Sequence, residues 1–296
     1  MIFPKMMRVR QTFDNRAIED IPAAVKAGMA SLSLGAAIEP GQTVAVACSS
    51  RGITNYAAIV KAVVSSLKAL QLEVFIFPAM GSHGSATAEG QQRVLEHLGI
   101  SEQTVGAPVR SSLDVVQLGE TAEGIPVFVD RLASEADHIV LVNRIKKHTE
   151  FEHKFESGLM KMMAIGLGKQ AGAAMYHQAM LSFGYANVIQ SIADNVLRKA
   201  NVLCGVGIVE NGYGQTAKIG ICPRAIIEQQ EVELFTLAKS LSPALPFEEA
   251  DVIVIDEMGK DISGTGFDTK VVGRIGLPLV TPDPEVPNIK RIVVCD

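Results

Sequence analysis

Uninterrupted apolar runs alternate along this chain with amphipathic blocks, and the two periods separate strands from helices. Residues 16–35 follow an Asp/Asn cap region and gather Ala, Val and Leu on one face, which predicts a helix. Gln42–Cys48 (QTVAVAC), bounded by Pro40-Gly41 and Ser49-Ser50, is the pattern of a strand buried on both faces. The loop SSRGITNY and the helical stretch AAIVKAVVSSLKALQ come next. Glu73–Phe77 (EVFIF) predicts a second strand, and PAMGSHGSATAEGQQRVLEHLGI a loop running into a helix. Ile125–Asp130, His138–Val142 and Val202–Glu210 predict further strands, with a helix near 185–200. Such alternation points to an α/β fold with a mainly parallel, Rossmann-like sheet flanked by helices. A Glu- and Leu-rich helix then leads to Pro243–Pro246 (PALP), a linker, and Asp251–Asp256 (DVIVID) opens a new strand. The expected division is 1–245 for the first domain and 246–296 for the start of a second, smaller α/β domain. That second unit ends on the strand IKRIVVCD with no helix after it, so it is expected to be truncated.

Composition narrows the class. With 48% hydrophobic and 20% charged residues the chain can bury a large core and is not disordered. A net charge of −5 argues against a general nucleic-acid binder, although basic residues cluster locally. Cys48, Cys204, Cys222 and Cys295 are far apart and form no CxxC, which suits reduced thiols and no Cys-ligated metal site. The N-terminus MIFPKMMRVRQTFDN lacks the apolar core of a signal peptide, and no apolar run is long enough for a bilayer. A cytoplasmic protein without membrane contact is expected.

Parallel sheets bind ligands beyond the carboxyl ends of their strands, where the candidate chemistry collects. Arg51 follows the first strand; its planar fork suits a phosphate or carboxylate, or it is a surface arginine. His83 lies in MGSHGSAT, where the glycines on both sides, Gly81 and Gly84, let the backbone approach a ligand, and Ser82, Ser85 and Thr87 can cap a helix whose N-terminus suits a phosphate. The bland alternative is an ordinary helix cap with a locally bonded histidine. Val142–Gln178 (VNRIKKHTEFEHKFESGLMKMMAIGLGKQAGAAMYHQ) begins with the basic cluster Lys146, Lys147, His148, His153 and Lys154. It continues into a nearly neutral run with two lone cations, Lys161 and Lys169, and closes on Tyr176-His177. Lone cations in small apolar surroundings are candidates for shifted pKa values, or else lysines that snorkel out of a buried helix. Lys260 and Lys270 sit in EMGKDISGTGFDTKVVG, a loop suited to anions or a long linker. The GVG within Val202–Glu210 completes no dinucleotide fingerprint.

Taken in order, GSHGSAT, the K-x-H at Lys146–His148, SGLMK at 157–161, YH at 176–177 and ISGTGFDTK at 262–270 resemble the lactate racemase family. The resemblance implies a nickel-pincer nucleotide, a pyridinium mononucleotide whose sulfur-bearing arms and a ring carbon hold nickel. It implies that Lys161 tethers this cofactor covalently and that His177 binds the nickel. His83 and His148 would then be the acid/base pair, with Arg51, Gly81 and Ser82 near the cofactor. The reaction implied is racemisation or epimerisation of a 2-hydroxy acid, lactate-like or a sugar acid. The α-hydrogen leaves as hydride while a histidine takes the hydroxyl proton. Lys260 and Lys270 are the substrate-carboxylate candidates, and enzymes that build the cofactor would be partners. A preparation from an ordinary expression host is expected to lack the cofactor. Two departures concern the substrate: Gly84-Ser85 replace a frequent Arg-Pro after the first histidine, and a short insertion holding His153 separates His148 from Lys161. His153 therefore competes with His148 for the second acid/base role. A noncatalytic nucleotide- or metabolite-binding module on the same fold remains open, as does a metal hydrolase using His83, His148 and His177.

Overall fold

The computed structural model describes residues 5–32, 38–149, 151–259, 262–275 and 283–295. Helix α1 (Ile21–Ala30) starts on Asp20, whose side chain accepts from the Ala23 amide; residues 33–35 of the predicted helix lie outside the described residues. Next come β1 (Thr43–Cys48), α2 (Tyr56–Ala69), β2 (Glu73–Pro78), α3 (Ala88–His97) and the short α4 (Glu102–Val105). The hairpin β3 (Val115–Glu120) and β4 (Pro126–Asp130), then α5 (Arg131–Glu135), lead to β5 (His138–Arg144). The helices α6 (Leu159–Lys161), α7 (Lys169–Phe183) and α8 (Tyr185–Lys199) precede β6 (Val202–Glu210) and β7 (Thr216–Pro223). Helix α9 (Ile227–Leu241), β8 (Glu249–Ile255) and β9 (Asn288–Val294) complete the order.

A five-stranded sheet runs β2-β1-β5-β6-β7, parallel except for β7, which pairs antiparallel with β6. Alternate residues of β1 enter opposite cores. Val44, Val46 and Cys48 pack with α1 and α2, whereas Ala45 and Ala47 face the side occupied by the β3–β4 hairpin and α6 to α9. Both faces being covered, the strands read as solid apolar runs. Strand β7 is an exception that the sequence did not predict. Its edge position leaves it half-buried, and Gly220 breaks its alternation, so TAKIG resembled loop. The hairpin strand β3 escaped for the same reason, since none of its residues is fully buried. Strands β8 and β9 form a separate parallel pair.

Two buried ties hold the layers in register. The Tyr56 hydroxyl accepts from the Ser49 amide at 2.7 Å and donates to the Val142 carbonyl at 3.1 Å, fastening the ends of β1 and β5 together. Lys169, a lone cation in the sequence, is wholly buried and lies 3.2 Å from Asp130, donating also to the Pro78 carbonyl at 2.7 Å. Burial lowers the Lys169 pKa, against the pull of Asp130, and its φ of 55° marks a bend at the start of α7. Lys169 thus joins β2 and β4 to α7. The four cysteines are free thiols, Cys295 exposed and the others buried.

Candidate functional site

The chain leaves β1 toward β2 on one side and later returns to β5 on the other, so strand order reverses beside β1. A crevice at such a point, outside the carboxyl ends, is where α/β sheets take ligands. Here it is a pocket of about 460 Å³. Arg51, Gly81, His83, His148 and Lys161 all line it, so three widely separated loops and α6 converge.

Each loop is held by a side chain the sequence did not single out. Ser50 Oγ lies 2.9 Å from His83 Nδ1, which fixes the ring. Gln91, wholly buried in α3, donates to the carbonyls of Met80 and Gly81 at 3.1 and 2.9 Å, steadying the glycine-rich turn. Asn143 donates to the Gly158 carbonyl at 2.8 Å, tying the end of β5 to the segment that carries Lys161. Two backbone bonds between Lys146 and Ser157, 2.9 and 3.1 Å, close the stem of the intervening loop. Helical caps and loop ties of this kind join residues distant in sequence, and nothing local announces them.

Lys161 ends α6 and is followed by a π-helical turn, Met162–Gly166, in which the Leu167 amide reaches the Met162 carbonyl at 2.9 Å. Such widened turns recur at functional sites because they re-aim side chains. At its other end, α6 is capped by Glu231 of α9, which accepts from the Met160 amide at 2.8 Å. Gly158 is required there: a Cβ would stand 2.0 Å from Glu231 Oε1. Burial raises Glu231 to about 8.

His148 packs against Phe151, ring centroids 4.6 Å apart and planes tilted by 37°, and lies 5.8 Å from Tyr185; Tyr185 lies 6.3 Å from His177. Burial, reinforced by Lys161, Lys270, Lys146 and His177, pushes His148 down to about 2, so its ring is neutral. His177 itself is exposed on α7, does not line the pocket, and reaches the cluster through Tyr185. His153 faces away, its ring edge-on to Phe155 at 4.8 Å, which leaves His148 as the histidine of this loop at the pocket. Ser82 is exposed and outside the lining. Lys270 does not line it either; its ammonium is taken up by Glu156 at 2.8 Å. Lys260 lies outside the described residues. Ile262, Ser263 and Gly264, of the same loop, do reach the pocket.

The lining is cationic. Arg51, Lys146 and Lys147 stand beside Arg144, which is paired with Glu210. Burial and then the Arg144 charge lower Lys146, with Asp268 opposing. A ligand bearing negative charge would relieve this crowding.

Residues 6–187 match the lactate racemase N-terminal domain, which covers more than half of the chain. The chain belongs to the lactate racemase family. The lactate racemase apoprotein from Thermoanaerobacterium thermosaccharolyticum shares the fold, with a TM-score of 0.58 at 17% identity over 82% of this chain. The match takes in 60% of that racemase, so this chain spans under two thirds of its length. A comparison with curated proteins gives no match. Among the described residues no helix is long and apolar enough to cross a membrane.

The family's nickel-pincer nucleotide can be tested against these residues. Among the described residues no three His, Cys, Asp or Glu side chains group to hold a metal ion. The lactate racemase-like pocket offers a lysine amine, neutral imidazole and several cations for a phosphate. Gly52 adds open space, since a Cβ there would meet nothing within 4 Å. The donor set fits the group.

Proposed function

We propose that this protein is a racemase or epimerase of a 2-hydroxy acid, working with a nickel-pincer nucleotide carried on Lys161. The observation that carries the reading is the meeting of Lys161, His83 and His148 around one cationic pocket at the carboxyl edge of the sheet. In the bound state the cofactor supplies the acceptor for the substrate's α-hydrogen. The protein's own residues do the rest. Lys161 forms the covalent link through its amine, and His177 offers an imidazole to the metal. Arg51, Lys146 and Lys147 draw in the cofactor phosphate and the substrate carboxylate by charge. His83, steadied by Ser50, and His148, kept neutral by burial, serve one face of the substrate carbon each: one accepts the hydroxyl proton at its face and the other returns a proton at the opposite face. Residues 246–296 we read as belonging to a second domain, whose segment 262–264 lines the pocket.

Intact mass and nickel content after coexpression with the cofactor-building enzymes test this directly. A mass gain mapped to Lys161, with nickel lost in His177→Ala, is the expected result, followed by turnover in a screen of 2-hydroxy acids and sugar acids. A folded, full-length protein that takes up neither adduct nor nickel would overturn it.

A further inference from the structure

Between the stem bonds of Lys146 and Ser157, the chain makes an excursion that presents His148. Lys154 of this loop pairs with Glu228 of α9, and Phe151 stacks on Tyr185. Around His148 itself, the segment 262–275 adds a further set of restraints. Lys270 Nζ donates to Glu156 at 2.8 and 2.9 Å and to the Phe151 carbonyl at 2.8 Å. Thr269 Oγ1 donates to the Thr149 carbonyl at 2.6 Å. Glu156 in turn accepts the backbone N–H of His148. The Lys270 and Glu156 side chains are only 6% and 4% exposed, so each charge depends on the other.

Every one of these bonds ends on a residue that touches or adjoins His148. Glu156 holds its amide, and Thr149 is its neighbour. Phe151 lies tilted by 37° against the imidazole at 4.6 Å and stacks on Tyr185 at 5.1 Å with 22° between planes. The geometry points to the Glu156–Lys270 pair, with Thr269, as a positioning latch that sets the His148 imidazole against the pocket. Lys270 is a positioning residue, 114 positions beyond Glu156, and not a substrate ligand. The inference rests on the reading of His148 as an acid/base only for its catalytic consequence; the placement itself is a property of the empty protein.

Nuclear magnetic resonance of the ring Cε1–H groups, with His148 assigned through His148→Gln, tests the placement without cofactor. The Phe151 ring 4.6 Å away should displace the wild-type His148 signal. Lys270→Met should move that signal toward the position of an imidazole with no ring beside it, or split it, leaving those of His83 and His97 in place. Lys270→Arg should restore it. The double variant Glu156→Gln/Lys270→Met, which leaves no lone buried charge, should unfold at a higher temperature than Lys270→Met alone. Should Lys270→Met not fold, Thr269→Val, which removes a neutral bond, serves for the same readout. In loaded enzyme, Lys270→Met should lower kcat by about 10- to 100-fold with little change in KM. The adduct on Lys161 should still form. An unmoved His148 signal in a folded Lys270→Met protein would overturn the latch. Absence of the adduct in wild type would overturn the proposed function and leave the latch to be judged by the resonance.

Discussion

Glu231 shows how much a single residue can do from outside the pocket. Its carboxyl caps the short helix bearing Lys161, and no motif pointed to it, since cap and helix are 71 residues apart. The sign of its effect on stability follows from its titration. Burial raises it from 4.5 to about 8, so the folded protein keeps a proton that the unfolded chain gives up. The associated stability is complete below 4.5 and is lost as pH rises through 8. His148 acts oppositely: lowered from 6.5 to about 2, it contributes stability above 6.5 that is lost as the pH falls. Between pH 6.5 and 8 the Glu231 slope is therefore the one to follow. Glu231→Gln keeps an acceptor for Met160 and should flatten the decline of stability across that window, by at most about 1.4 kcal/mol per pH unit. Urea unfolding at several pH values, with wild type alongside, measures it; parallel curves would refute it. Arg51 and His83 could be picked out beside glycines after apolar strands, His148 within a basic cluster, and Lys161 as a lone cation in a nearly neutral run. Ser50, Gln91, Asn143 and Glu156 were not, because each acts through a partner fixed only by the fold.

Among the elements, the parallel strands were readable because burial on both faces makes them solid apolar runs. Strands β3 and β7 lacked that signature, and the π-helical turn after Lys161 had none that periodicity could supply. Its spacing depends on Gly166: a Cβ there would stand 2.9 Å from the Ala79 carbonyl oxygen and 3.1 Å from Met162 Cγ. Backbone cannot yield as a side-chain end can. Gly166→Ala should thus destabilise the protein by about 1–3 kcal/mol and push Lys161 away from the strand ends. Chemical denaturation reads the first effect, and slower adduct formation on Lys161 the second. An alanine variant as stable and as reactive as wild type would show that the turn has slack.

For the molecule as a whole, the sheet order could be anticipated only as a class, whereas the meeting of distant loops at one crevice followed from topology once β1 lay between β2 and β5. The latch has a consequence in time. A ribosome adding about 5–20 residues per second needs roughly 6–23 s to go from Glu156 to Lys270. Throughout that interval the loop bearing His148 lacks the Lys270 ammonium to close upon. Loading should accordingly be more complete when the cofactor is made while the chain is being synthesised than when it is offered to finished protein. Lys270→Met should narrow the difference. The adduct fraction at Lys161 under the two regimes measures it, and equal fractions in wild type would mean that the closed protein opens faster than it is made.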